Sequence, residues 1–191
     1  MENKILSVNI RKTAISDLGA LMEIFNEARK TIAALGINQW QDGYPNLEVI
    51  NDDVEKGYSH CAELISDDGK SPVRATFALV GDGDPCYDKI FDGNWLTDAG
   101  TSSLGADIGY LAMHRVAISV ACRGCGIASQ IMTFAANYAR ELGKKSIRID
   151  THEGNVVMRK MLEKQGFTHC GTIFLANGDK RVAYEKVLGE E

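Results

Sequence analysis

The chain has 191 residues, of which 45% are apolar and 25% charged, ordinary values for a globular protein that can bury a real core. Its formal net charge of −5 argues against general nucleic-acid binding, which normally needs a basic face, although not against a local basic pocket for one anionic ligand. No apolar run is long enough to span a bilayer, and the start, MENKILSVNIRK, lacks the apolar core and cleavage site of a signal peptide. A cytoplasmic protein that does not associate with membranes is the expectation. The five cysteines are odd in number and scattered, as suits free thiols in a reducing compartment.

Ile5 to Lys12 alternates apolar and polar residues, which predicts a half-buried strand. Leu18, Leu21, Met22, Phe25, Ala28 and Ile32 recur at helical spacing, so a helix is expected over roughly 16–34, ended by Gly36. INQWQDGYPN reads as a loop, and LEVINDDVEKG as a short second helix. HCAELIS and PVRATFALV are strand-like runs about the hairpin signal DDGK. The following segment, to Ala106, is rich in Gly and Asp, with a possible short helix at CYDKIF. Asp82, Asp84 and Asp92 within it read as solvated rather than metal-binding. IGYLAMHRVAIS is a long apolar strand, and a glycine turn leads into a helix with Ile127, Ile131, Phe134, Ala135, Tyr138 and Leu142 on its buried stripe. SIRIDTH is a strand, NVVMRKMLEKQG a helix, and FTHCGTIFL and KRVAYEKVL close the chain as two strands about ANGD.

This order, β-α-α-β-β-β-α-β-α-β-β, has no repeat and no linker, so residues 1–191 are expected to form one domain. The expected fold is mixed α/β: a mostly antiparallel sheet of about six or seven strands, one parallel β-α-β crossover and helices on both faces.

The stretch CRGCGIA, Cys122 to Ala128, admits three readings. Cys122 and Cys125 form a C-x-x-C, but a redox motif of that kind belongs early in its domain, and a zinc site needs two further ligands at comparable spacing. His169 with Cys170 is a weak second pair, so no metal is expected. Gly124 and Gly126 with Asp150 at the end of the next strand suggest a dinucleotide site, but Ser129 stands where the third glycine should be. The third reading adds Arg123. Two glycines in a tight turn let successive backbone N–H groups converge at the positive end of a helix, a cradle for a diphosphate that needs no Walker lysine.

The R-x-x-G-x-A pattern of Arg123, Gly126 and Ala128, placed after a strand, resembles the acetyl-coenzyme A loop of the GNAT superfamily of N-acetyltransferases. NVVMRKMLEKQGF is similar to that family's N-x-x-A-x-x-L-Y-E-K-L-G-F segment, with Asn155, Glu163, Lys164, Gly166 and Phe167 in register. The order of elements agrees from about Leu6 to Leu188. The resemblance implies that the strand before the loop parts from its neighbour and that the pantetheine arm of acetyl-coenzyme A lies against Val116 and Ile118. It implies that Arg123, Gly124, Cys125, Gly126, Ile127 and Ala128 hold the diphosphate, and that Asn155 contacts the cofactor arm, caps its helix, or both. Leu162 stands where the family often has a tyrosine that protonates the leaving thiolate.

His114 and His152 are the candidate catalytic bases, since imidazole titrates near neutral pH. Alternatively they only hydrogen-bond, while Arg115 or Arg148 pairs with Asp150. Trp40, Gln41 and Tyr44, with Asp42, lie where the family's acceptor side would be; Trp40 could equally pin its loop to the core. The resemblance implies transfer of an acetyl group from acetyl-coenzyme A to the primary amine of a small molecule or peptide, by direct attack in a ternary complex. The alternatives are an acyl-coenzyme A sensor without turnover and a dinucleotide-binding oxidoreductase. Neither a metal nor a nucleic-acid partner is expected, and a homodimer is compatible with the sequence.

Overall fold

The computed structural model describes residues 6–65, 71–101 and 108–189. Seven strands and four α-helices alternate in the expected order: β1 (Val8–Lys12), α1 (Leu18–Ala34), α2 (Leu47–Glu55), β2 (Ser59–Leu64), β3 (Val73–Val80), β4 (Tyr110–Ile118), α3 (Ile127–Glu141), β5 (Ser146–Thr151), α4 (Val156–Lys164), β6 (Thr168–Phe174) and β7 (Lys180–Val187). The hairpin signal DDGK falls outside the described residues. A 3-10 turn at Ile15–Asp17 precedes α1, and another at Pro85–Tyr87 replaces the short helix expected at CYDKIF. The sheet order is β1-β2-β3-β4-β5-β7-β6. β4 and β5 are parallel, whereas β1–β2, β2–β3, β5–β7 and β6–β7 are antiparallel.

The chain divides into two compact units, one running to Ala78 and resuming at Arg115–Phe134, the other comprising Leu79–His114 and the residues from Ala135 onward. β3, β4 and α3 each run from one unit into the other.

In the first unit the two-residue strand period sorts side chains onto two faces. Cys61 of β2 and Ala117 of β4 are buried in one cluster with Leu21, Ile24, Phe25 and Ala28 of α1 and Ile50 of α2. The neighbouring residue His60 points the other way. It stacks on Phe77 of β3, with centroids 5.4 Å apart, and meets Phe134 of α3 edge-on at 5.5 Å. Helices therefore cover both faces of these strands. Burial pushes the His60 pKa down to about 4, aided by Lys12 and opposed by its contact with the Tyr58 carbonyl.

In the second unit, among the described residues, no α-helix contributes to the buried cluster on the face that carries Tyr110, Ala112 and Ala183. Tyr87, Ile90, Trp95 and Ala99, from the Gly- and Asp-rich segment, pack there instead. This segment also bonds to β6: Phe91 and Thr172 exchange N–H···O bonds of 2.8 and 2.7 Å. So close an approach requires glycine. A Cβ on Gly93 would lie 2.0 Å from the Cys170 carbonyl oxygen, and one on Gly171 would lie 2.5 Å from that of Phe91.

A buried ion pair anchors the segment. Arg148 of β5 is 2% exposed and Glu185 of β7 is fully buried, with Nε 3.0 Å from Oε1. Ser146 and Thr97 hydroxyls donate to the same oxygen at 2.6 Å, and the Leu96 and Thr97 N–H groups donate to the other. The guanidinium lies between the Trp95 and Tyr110 rings, 4.2 Å from each centroid. Burial pushes the Glu185 pKa up, but these hydroxyls and Arg148 outweigh it, so its carboxyl stays below the ordinary range.

Two stability predictions follow from these buried groups. Glu185→Gln leaves Arg148 charged and unpaired, and is expected to lower the urea-unfolding free energy by about 3–5 kcal/mol. His60 binds its proton more weakly folded than unfolded, so its contribution is complete above its ordinary value of 6.5 and is lost as pH falls towards about 4. The loss is about 3 kcal/mol over that window. His60→Phe should flatten the stability profile between pH 6.5 and 4; an unchanged slope in urea titrations would contradict this.

Candidate active site

The candidate residues form groups that each lie inside one unit. In the first unit, β4 ends where the Ser119 N–H bonds to the Arg74 carbonyl at 2.8 Å. A 3-10 turn at Val120–Cys122 follows, and then the glycine turn. Gly124 and Gly126 both adopt left-handed backbone, with φ of 75° and 81°, which other residues enter at a cost. α3 starts at Ile127, which is buried and fixes the angle of the helix. The first-turn N–H groups of a helix have no partner within it, so this end offers donors and a positive dipole to an anion.

The turn is braced from two sides. The Leu6 N–H bonds to the Cys125 carbonyl at 3.0 Å. The Gln130 side chain, one turn into α3, accepts from the Val8 N–H and donates to the carbonyls of Leu6 and Gly126. On the other side, Arg123 donates to the Thr31 hydroxyl at 2.7 Å, and the Val120 N–H donates to Glu27 at 2.8 Å. Cys122 is buried, which pushes its thiol pKa up, and the Cys125 sulfur contacts the Arg123 carbonyl. Among the described residues no group of three or more His, Cys, Asp or Glu side chains could hold a metal ion.

The loop after α1 lies in the same unit. Trp40 meets Phe25 edge-on at 5.8 Å and packs on the α1 cluster, so it pins the loop to the core. Arg29 of α1 donates to the carbonyls of Gly43, Tyr44 and Pro45. Gln41 donates to the carbonyls of Arg29 and Gln39, and Asp42 accepts the Tyr44 N–H. The Tyr44 hydroxyl accepts from Arg115 at 2.8 Å, and Arg115 also pairs with the buried Asp53 at 2.6 Å. Burial works against the charge on Arg115, but Tyr44 and Asp53 more than offset it and raise its pKa. Arg115 has φ of 53°, a strained value for a residue with a side chain, and belongs to β4, the strand of Val116 and Ile118.

In the second unit β4 and β5 part. Their parallel ladder runs through Tyr110–Ser146, Leu111–Ile147 and Ala112–Arg148, while β5 goes on pairing with β7 as far as Thr151–Val182. Met113 and His114 of β4 lie beyond the last rung. His114 shares the face of Tyr110, and the Tyr87 ring lies against both, at 5.6 and 6.0 Å. Asp84 is not a solvated loop residue. Its Oδ2 is 3.1 Å from His114 Nε2, its Oδ1 accepts the Cys86 N–H at 2.7 Å, and its own N–H donates to the Tyr110 hydroxyl at 3.0 Å. Burial would raise the Asp84 pKa, but His114 and the Cys86 N–H bring it down to about 2.

Asp150 pairs with neither arginine considered for it. Arg148 binds Glu185 and Arg115 binds Asp53, while Asp150 Oδ1 accepts the Tyr87 hydroxyl at 2.8 Å. Burial raises the Asp150 pKa against the pull of His114, Tyr87 and Arg181. Burial and the carboxylates of Asp150 and Asp84 push that of Tyr87 well above its ordinary value.

His152 and Asn155 lie in the turn from β5 to α4. The Gly154 N–H donates to His152 Nδ1 at 3.0 Å, so this ring nitrogen closes the turn. Asn155 is the N-cap of α4, its side chain accepting the Met158 N–H. Leu162 is fully buried and occupies its helix position as packing. Sequence reasoning missed Asp84, because hydrophobic periodicity does not separate it from Asp82 or Asp92; the proline that follows it, as after an N-cap, was the available signal.

The profile of the Acetyltransferase (GNAT) family matches residues 94–167. A comparison with curated protein sequences gives no match. Among solved structures, a GNAT-family acetyltransferase from Streptococcus agalactiae is 34% identical over 96% of each chain, with a TM-score of 0.79. Another from Listeria monocytogenes is 20% identical over 95% of each chain, with a TM-score of 0.68. The yncA protein of Salmonella typhimurium, in a structure with its cofactor acetyl-CoA, is 18% identical over 96% of this chain and 95% of its own, with a TM-score of 0.59. With its strand order, its glycine turn and a relative this similar along nearly its whole length, the chain is an acyltransferase and belongs to the GNAT acetyltransferase family.

Proposed function

We propose that the chain is an N-acetyltransferase that moves an acetyl group from acetyl-coenzyme A to a primary amine by direct attack in a ternary complex, with His114 as the base. Acetyl-coenzyme A supplies the activated acetyl group as a thioester. The observation that carries this reading is the turn itself. Two left-handed glycines lead into the N-terminus of α3, where backbone N–H groups suit a diphosphate. Arg123 adds a positive charge beside them. Val116 and Ile118 offer their backbone to the pantetheine arm, and an N–H on this strand polarises the thioester carbonyl. Asn155 contacts the cofactor arm in addition to capping α4.

Of the two histidines, His114 suits proton transfer better. It is half-buried, paired with a carboxylate, and its Nδ1 has no hydrogen-bond partner among the described residues. His152 already spends Nδ1 on a backbone N–H. Trp40, Gln41 and Tyr44 shape the acceptor side through the loop that they hold in place. The buried leucine at the usual tyrosine position keeps a binding-only sensor in view, and turnover separates the two.

Acetyl-coenzyme A at a hundredfold excess over its Kd should stabilise the protein by about 2.7 kcal/mol, a shift of several degrees in Tm, while NADH should give none. Gly126→Asp places a Cβ and a negative charge on left-handed backbone in the cradle and should abolish the shift. A larger shift with NADH than with acetyl-coenzyme A would overturn the cofactor assignment. With thiol release as the readout over a panel of amines, His114→Ala is expected to lower kcat by about 10²–10⁴ without changing acetyl-coenzyme A affinity. His152→Ala should stay near wild-type activity. Cofactor binding with no turnover on any amine would favour the sensor.

A further inference from the structure

We infer that Asp84 is a positioning residue for His114: its carboxylate holds the Nε2–H and so leaves the Nδ1 lone pair as the base for the acceptor ammonium. The inference rests on His114 serving as that base, and it adds a residue that neither motif of the chain contains.

The geometry is local to the second unit. His114 Nε2 and Asp84 Oδ2 are 3.1 Å apart. An ionised carboxylate only accepts hydrogen bonds, so the nitrogen that faces it must carry the proton. In neutral imidazole the other nitrogen is then the free acceptor. Asp84 is itself fixed three ways. Its second oxygen caps the 3-10 turn through the Cys86 N–H, its backbone N–H donates to the Tyr110 hydroxyl, and that hydroxyl donates back to the Asp84 carbonyl at 3.3 Å. Tyr110 lies on β4, the strand of His114, so the carboxylate and the ring are referred to one frame. The Tyr87 ring closes over the imidazole at 5.6 Å and limits its rotation.

The groups that face His114 are Asp84, with Cys86 beside it, Tyr87, and Asp150 on β5. Tyr87 stays neutral, and Asp150 is committed to the Tyr87 hydroxyl. Asp84, whose carboxyl is held at about pKa 2, remains ionised throughout the working range. Asp84 therefore stabilises the imidazolium without taking its proton. One proton passes from the ammonium to Nδ1 and is released from the imidazolium to water. The second proton lost by the nitrogen leaves with the coenzyme A thiol.

The test uses full-length protein with ¹⁵N-labelled histidine, wild type and two variants. Asp84→Asn and Asp84→Ser both keep an acceptor for the Cys86 N–H and lose the charge. Wild-type His114 should be the Nε2–H tautomer. Each variant should mix the tautomers and lower kcat about tenfold, with an unchanged Tm shift by acetyl-coenzyme A. A packing role for Asp84 would leave the tautomer in place, and that result overturns the inference, as does a wild-type ring protonated on Nδ1. If wild-type protein acetylates no amine, the acetyltransferase reading fails by itself, while the tautomer still decides whether Asp84 sets the state of His114.

Discussion

The buried carboxylate of Glu185 is the fixed point of the second unit. A charge with no exposure survives only when every lone pair is used, and here two hydroxyls, two backbone N–H groups and one guanidinium use them. These donors come from β5 and from the segment that crosses the sheet face, and the acceptor comes from β7. One carboxylate therefore joins side chains of two neighbouring strands and ties down the Gly- and Asp-rich segment. The consequence runs further along that stretch. Trp95 stacks on Arg148 and donates its indole N–H to the Tyr87 carbonyl at 2.9 Å. Tyr87 then touches Asp150 and the His114 ring. Ionic bonding in the core thus reaches the candidate base through two aromatic residues.

β4 serves two different tasks because it does not remain a regular strand. It leaves β5 after Ala112, and Arg115 takes a left-handed conformation that costs about 1–3 kcal/mol. Such strain persists only where the surroundings over-determine it. Around Arg115 they do so, through a two-point contact with buried Asp53 and a bond to Tyr44, whose loop Arg29 holds by three carbonyls. A strand that has left its neighbour has free backbone groups. Beyond the last rung to β5 the strand is free of that ladder's register, so a positive φ at Arg115 breaks no bond to β5.

The parts of the fold that were legible in the sequence are those set by local chemistry. The helices over 18–34 and 127–141 follow from apolar spacing, and the cradle from two glycines that must be left-handed. Asn155 could be placed at the start of α4 because capping depends on the next three residues. The pairing of charges was not legible. Arg148 and Asp150 stand two apart on one face of β5, yet their partners are Glu185 and Tyr87, which the chain brings from far along the sequence. Periodicity says which side chains face inward but not what meets them there. The Gly- and Asp-rich segment has no period at all, so both Asp84 and the crossing made possible by Gly93 and Gly171 lay beyond it.

This contrast reflects how the two chemical tasks are met. In the proposed function a diphosphate would be bound by backbone N–H groups, and backbone conformation leaves a mark in the sequence, since it demands glycine at fixed positions. Handling a proton requires one side chain held by another, and any element that reaches the same place can supply the second. The cradle nevertheless depends on one such remote contact. Gln130 lies on α3 but bonds to Leu6 and Val8 at the edge of β1, filling part of the role of a missing neighbouring strand. The same amide reaches the Gly126 carbonyl, so the position of the turn is set by the first strand of the chain as well as by the helix it opens. The glycines supply the shape of the cradle, and a glutamine outside the motif, bonded to β1, helps to fix its place.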